Sequence, residues 1–273
     1  MKYKLISCDL DDTLLRHDNS VSKRDLGAIH EFERRGGVFM PNTGRMHLSA
    51  YNQVRRLSLR ETAPISSFQG AMIRELGTGG LIYYTPLGNE LGVQVIKDAE
   101  EAGMFAQAYD LESLYCAYPA ADKAPYAEAY AERCGVTYIK VPCLSDYMIK
   151  TRMDCIKVII MDEPENVARY LAGLSKKFGG AFKVNTSTKH LGEVIANRAG
   201  KDIACDVICK RMGITIDECI AVGDSMNDYD MIRHAGLGVA VANARKEVLD
   251  AADYITDSHE NDGVAKVIEK FCL

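Results

Sequence analysis

Both ends of the chain repeat one grammar, strand then helix then strand, and this limits the fold more than any other feature of the 273 residues. Residues 3–10 (Tyr-Lys-Leu-Ile-Ser-Cys-Asp-Leu) read as an apolar strand that ends in acid. Ser22, with Asp25 three residues on, resembles a capping box and opens a helical pattern that Gly36-Gly37 stops. Val38-Phe39-Met40 is the next strand, with Pro41 at its very end, where a missing N–H is tolerated. Strand, helix and strand within about 40 residues need a crossover connection and hence a parallel sheet. The pattern returns late in the chain. A helix is predicted over Lys201–Met212, then strand Cys219–Gly223, helix Asp228–Ala235 and strand Gly238–Val241. Helix Lys246–Ala251, strand Tyr254–Thr256 and helix Val264–Phe271 close the sequence.

The middle differs. Between about 84 and 195 the strand candidates are more polar, and nine of the fourteen tyrosines fall there. Ile156–Met161 is a clear strand and Pro164–Phe178 a clear helix, followed by strands at Ala181–Thr186 and Glu193–Ile195. The expected architecture is therefore α/β, with a doubly wound parallel-sheet, Rossmann-like core from residues 1–83 and 196–273. An α+β cap over residues 84–195 is inserted into it. Gly77-Thr78-Gly79-Gly80 lacks the Gly-Lys-Ser/Thr of a phosphate loop and reads as a hairpin turn. The tyrosines between Tyr109 and Tyr147 read as packing, because a stacking platform for nucleic acid needs a basic background.

Charge supplies no such background: 33 Lys and Arg against 38 Asp and Glu give a net charge of −5. Nucleic acid is not an expected partner. The N-terminal residues carry no signal-peptide pattern, and no apolar stretch is long enough to span a bilayer. Nine cysteines are scattered without a Cys-x-x-Cys pair, and Cys205 and Cys209 read as packed thiols on one helix. Dispersed histidines give no support to a zinc centre. Free thiols without an export signal fit the cytoplasm. Nothing in the sequence specifies an oligomer.

Chemistry concentrates where apolar strands stop. Asp9-Leu10-Asp11-Asp12-Thr13 follows the first strand, and in extended chain Asp9 and Asp11 would face the same way. Ligand sites of open α/β sheets lie at the carboxyl ends of strands. An acidic turn is the competing reading of this segment. Gly223-Asp224-Ser225-Met226-Asn227-Asp228 follows a second apolar strand and adds carboxylates, an amide and a helix start, an all-oxygen set that suits Mg²⁺. Taken alone, it is also a Gly-Asp turn with a helix cap. Thr43-Gly44-Arg45 offers a hydroxyl and backbone N–H groups suited to phosphate oxygens. Lys201 opens a helix after Ala199-Gly200, where a lone lysine is by default a solvated surface group. Arg45 and His47 are candidates to face a cleft, and Glu193 is a candidate of the same kind.

Asp-x-Asp, Thr, Lys and Gly-Asp-x-x-Asn-Asp, in this order, resemble the four motifs of the haloacid dehalogenase-like (HAD) phosphatases. The likeness runs the full length and is nearest to the Cof-type branch, whose large cap lies between the second and third motifs. Three residues depart from that pattern: Asp12 and Asp202 stand where glycines are usual, and Gln69 where asparagine is typical. The resemblance implies a nucleophilic Asp9 forming an aspartyl-phosphate, with Asp11 as general acid and then base. It implies Mg²⁺ held by Asp9, the backbone carbonyl of Asp11, and Asp224, with Asp228 supporting the ion's water shell or Lys201. Leu10 (through its backbone), Thr43, Gly44, Lys201 and Asn227 would grip the phosphate, and Arg45 is a possible substrate contact. A carboxylate attacking a phosphate dianion meets repulsion of roughly 8 kcal/mol at ~4 Å and an effective dielectric near 20, which a divalent ion and a lysine offset. The expected activity is hydrolysis of a small phosphorylated metabolite, such as a sugar phosphate or nucleotide-like cofactor. A phosphohexomutase with the same core and a phosphate-ligand sensor with little turnover are the alternatives.

Overall fold

The computed structural model describes the backbone of residues 1–273 and all side chains except those of Arg133 and Ser187. The chain begins β1 (Leu5–Cys8), α1 (Lys23–Arg34), β2 (Val38–Pro41), α2 (His47–Val54). A hairpin region follows, β3 (Pro64–Ser67), β4 (Met72–Glu75) and β5 (Leu81–Tyr84). Next come α3 (Asn89–Glu101), β6 (Phe105–Tyr109), β7 (Leu114–Ala117), α4 (Ala124–Cys134), β8 (Tyr138–Val141) and α5 (Leu144–Thr151). They lead to β9 (Lys157–Met161), α6 (Pro164–Phe178), β10 (Phe182–Thr188) and β11 (Leu191–Ala196). The closing run is α7 (Lys201–Met212), β12 (Cys219–Gly223), α8 (Tyr229–His234), β13 (Leu237–Val241), α9 (Lys246–Ala251), β14 (Tyr254–Thr256) and α10 (Gly263–Phe271).

Two compact units result: residues 1–46, 50–84 and 200–273 form the first, and residues 47–49 with 85–199 the second. The first is built on a five-stranded sheet in the order β14-β13-β12-β1-β2, with every pairing parallel. Its central strands read as unbroken apolar runs, Leu5-Ile6-Ser7-Cys8 and Cys219-Ile220-Ala221-Val222-Gly223, and are buried along their whole length. That is the sequence signature of a sheet covered on both faces. The chain steps from β1 to β2 on one side, and β12 later joins the other side of β1. The strand order therefore reverses between β1 and β12, and the crevice past their carboxyl ends is where such sheets bind ligands.

Local chemistry fixes the flanking helices. The Ser22 hydroxyl accepts from the Asp25 N–H at 2.9 Å to start α1, and Asp25 in turn accepts from the Ala265 N–H at 2.7 Å, joining α1 to the first turn of α10. A sequence element not foreseen is the antiparallel sheet β3-β4-β5, whose turn holds Gly77–Gly80 as expected of a hairpin. The second unit has its own apolar core around Val95, Ile96, Ala108, Met148, Val158 and Val194. Its six-stranded sheet runs β10-β11-β9-β6-β7-β8, antiparallel except at β7·β8. Tyr109, Tyr115 and Tyr130 are buried in this unit.

Candidate active site

β1 and β12 run side by side in register, Cys8 beside Val222, so the residues that follow each strand emerge next to one another. Asp9 follows β1 and is buried, while Asp224 follows β12 at the edge of solvent. Asp9, Asp224 and Asp228 each bring one carboxylate oxygen within 4.8 Å of the others. Residues more than 200 positions apart in the chain thus form one acidic cluster.

Lys201 supplies the counter-charge. Its Nζ is buried and donates to Asp9 Oδ1 and to Asp228 Oδ1, both at 2.6 Å. It opens α7 in an interior position, contrary to the solvated surface lysine that is the default reading of such a residue. Asn42, at the end of β2, fixes it there by donating from Nδ2 to the Lys201 carbonyl at 2.9 Å and to the Ser7 hydroxyl at 3.0 Å. Asp228 is fully engaged. Its second oxygen accepts from the backbone N–H groups of Asp224 and Ser225, both at 3.1 Å, and so shapes the loop after β12. Thr13 donates to Asp224 Oδ1 at 2.9 Å. Nothing in the linear sequence signals the parts played by Thr13 and Asn42, beyond their being polar residues near the ends of buried strands.

Electrostatics follow from this crowding. Burial raises the Asp9 carboxyl well above the ordinary carboxylate range, Lys201 opposes the rise, and Asp228, Asp224 and Asp11 add to it. Burial and then Asp228 push Asp224 up to about 7. Burial alone would lower Lys201, but Asp228 and Asp9 outweigh it and hold the ammonium more firmly charged than a free lysine. Three carboxylates against one ammonium leave two negative charges when all are ionised, which is costly in a buried setting. The donor set is all oxygen, hard and dianionic, and it fits a small divalent cation such as Mg²⁺.

Asp11 adds its charge to that of Asp9 and is held by a partner of its own. β1 ends at Cys8, the N–H groups of Leu14 and Leu15 fold back onto the Leu10 carbonyl, and Asp12 takes a left-handed φ of 55°. The backbone turns just after Asp11, whose half-exposed side chain is held by Arg45. Arg45 makes a two-pronged contact, with Nε at 2.8 Å from Asp11 Oδ2 and Nη2 on Oδ1. The same Nη2 also reaches Asn19 Oδ1 at 3.5 Å.

The remaining candidates of the first unit converge on the same rim. Thr43 is buried, donating its N–H to Ser66 and accepting at its carbonyl from the Gln69 N–H. Its hydroxyl oxygen accepts from the Arg45 N–H at 3.2 Å. Gly44 lies so close to Gln69 that a Cβ there would stand 2.4 Å from Gln69 Nε2. Gln69 Oε1 accepts from Asn227 at 3.2 Å, so this departure from the family's asparagine joins two of the expected phosphate-gripping segments. Leu10 is buried, and Asp202 lies in the first turn of α7. Glu193 belongs to the second unit, where it pairs with the buried Lys157 at 3.2 Å.

The sequence profile of the haloacid dehalogenase-like hydrolases matches residues 6–268. Among curated relatives, YxeH of Bacillus subtilis is 28% identical over 273 residues, 99% of each chain. The 5-amino-6-(5-phospho-D-ribitylamino)uracil phosphatase YitU of the same organism is 26% identical over 98% of this chain and 97% of its own. The solved structure of a haloacid dehalogenase-like hydrolase from Bacteroides thetaiotaomicron superposes with a TM-score of 0.85 at 27% identity, covering 98% of this chain and 99% of that one. With the profile spanning nearly every residue and the acidic cluster seated at the sheet's reversal point, the chain belongs to the haloacid dehalogenase-like hydrolases.

Proposed function

We propose that this hydrolase is a Mg²⁺-dependent phosphatase that uses Asp9 to remove the phosphoryl group of a small metabolite. One observation carries the reading: a buried carboxylate, Asp9, shares Lys201 with Asp228 and lies within 4.8 Å of Asp224 at the carboxyl ends of adjacent parallel strands. Asp9 and Asp224, with the backbone carbonyl of Asp11, would hold the divalent ion, while Asp228 keeps Lys201 and the Asp224 loop in place. The ion, when bound, neutralises charge that phosphoryl transfer gathers on oxygen.

This chain's residues do the rest. Asp9, fixed by Lys201, presents an oxygen to phosphorus and forms an aspartyl-phosphate that water later cleaves. Asp11, oriented by the Arg45 fork, gives a proton to the leaving oxygen and takes one from the attacking water. Thr43, the backbone of Leu10 and Gly44, Asn227 and Lys201 hold the phosphoryl oxygens, and Gln69 spaces Asn227 from Gly44. Catalysis is then mostly positioning and fixed charge. The second unit, residues 85–199 with 47–49, would act as the cap that selects the leaving group. Among the described residues no helix is long and apolar enough to cross a membrane, and the nine free cysteines suit a reducing compartment such as the cytoplasm.

Hydrolysis of p-nitrophenyl phosphate tests the mechanism. The wild-type protein should turn over with Mg²⁺ and stop with EDTA, and Asp9→Asn should lose activity by about a thousandfold or more with its fold intact by circular dichroism. Metal-independent turnover, or an undiminished Asp9→Asn variant, overturns the reading. The compound in YitU's name is the first natural substrate to assay.

A further inference from the structure

A second cluster of metal-ligating side chains lies outside the oxygen site, and its donors are of a different kind. His17 Nδ1 stands 3.8 Å from Asp12 Oδ1, and His259 Nε2 stands 4.0 Å from the same oxygen. The two imidazole rings meet edge to face with centroids 4.6 Å apart. Glu260 lies beside the group: its Oε1 is 3.6 Å from His259 Nε2 and accepts from the His17 backbone N–H at 2.9 Å. The sequence shows only dispersed histidines, but the fold brings two of them onto one carboxylate.

His259 is the decisive residue. It is 4% exposed, and neither ring nitrogen has a hydrogen-bond partner among the described residues. A buried polar group without a partner is costly. Its Nε2 faces the Asp12 and Glu260 carboxylates at distances too long for hydrogen bonds, which leaves a gap lined by ligand atoms. The backbone around that gap is braced. Asn243 donates to the Asp12 carbonyl at 2.7 Å and accepts from the His259 N–H at 3.1 Å, tying the two segments together. Asp12 and His17 are mostly exposed, so an ion reaches the gap from solvent.

We propose that Asp12, His17 and His259, whose ligand atoms all lie within 4.8 Å of one another, form a binding site for a divalent transition-metal ion of the zinc class. Two imidazoles with carboxylate suit Zn²⁺, Co²⁺ or Ni²⁺ better than Mg²⁺, which prefers oxygen alone. Donors around a tetrahedral zinc ion, each ~2.0–2.1 Å from it, stand about 3.4 Å apart. The approaches of 3.8 and 4.0 Å thus need to close by only about half an ångström, a rotamer adjustment for the exposed Asp12 and His17. A bound ion would cross-link the turn after the Asp9–Asp11 segment to the loop before α10. Asp12, one of the departures from the family's glycine, gains a role by this assignment.

Co²⁺ is the probe, because its visible absorption reports ligand geometry where zinc is silent. Metal-stripped protein is titrated with Co²⁺ in excess Mg²⁺, with stoichiometry read by elemental analysis. One Co²⁺ per chain is expected, with a visible band of nitrogen–oxygen coordination. Asp12→Gly and His17→Ala alter exposed side chains and leave the core untouched; each should weaken Co²⁺ binding by about tenfold or more. Asp224→Asn, which cripples the oxygen site, should leave the band in place. Failure to bind Co²⁺, binding unchanged in both exposed-residue variants, or loss of the band in Asp224→Asn overturns the assignment.

Discussion

Lys201 shows how much one side chain settles at the residue scale. Its ammonium lies between Asp9 and Asp228 and is the counter-charge for a buried acidic cluster. Removing one partner of such a buried pair typically costs ~3–5 kcal/mol, because the remaining charges are left uncompensated. Lys201→Met is therefore expected to lower unfolding stability in EDTA by about that amount, with Mg²⁺ restoring part of it; urea melts with and without the ion check this. Thr13 acts more gently. Its hydroxyl donates to Asp224 Oδ1, and outer partners of metal ligands are commonly worth about 10–100-fold in affinity. Thr13→Val should raise the Mg²⁺ concentration for half-maximal hydrolysis by about tenfold while leaving the melting curve nearly unchanged.

At the scale of elements, the junction between β3 and β4 decides whether the rim forms. Phe68 and Gln69 have φ values of 53° and 59°, and Gly70 follows at 82°. At Gly70 an added Cβ would lie 2.1 Å from the Gly200 carbonyl oxygen, the backbone that introduces Lys201. Backbone against backbone cannot give way as a flexible side chain does. Gly70→Ala should cost ~2 kcal/mol or more and reduce kcat together with stability, read by thermal melts and steady-state kinetics. Elements with strong local signals are read correctly from sequence: α6, α7, α9, β12 and β14 keep the predicted limits. β3 to β8 escape, since these short strands are not unbroken apolar runs and carry too little alternation to separate from turns, and Pro64 opens β3 against propensity.

For the molecule as a whole, the acidic cluster sets an unusual pH response. Asp224 titrates near 7 and Asp9 well above the ordinary range, burial being the main cause for both. Unfolded carboxyls titrate near ~4, so between there and about 7 the folded chain binds more protons than the unfolded one. Their contribution is complete below ~4 and is lost as pH rises through about 7. The surface carboxylate Glu31, held down to about 2 by its hydrogen bonds to Arg34 and Arg35, acts in the opposite sense and only below its usual range. Metal-stripped protein should melt lower at pH 8 than at pH 5, with Mg²⁺ or Asp224→Asn narrowing the gap. Calorimetry in EDTA and in Mg²⁺ reads both.

The sequence by itself determined the parallel sheet and the strand ends that carry acid, because a fully buried strand must be an apolar run and the residue where that run stops is visible in the chain. It also named Asp9, Asp224 and Lys201, whose residue types and order carry the likeness to the hydrolase family. Only the tertiary structure decided which way each group faces. Arg45 takes hold of Asp11, Asn42 holds the Lys201 backbone carbonyl, and a loop before the last helix sets His259 against Asp12. These are contacts between residues up to 247 positions apart, and no local pattern encodes the direction of a side chain whose neighbours are supplied by another part of the fold.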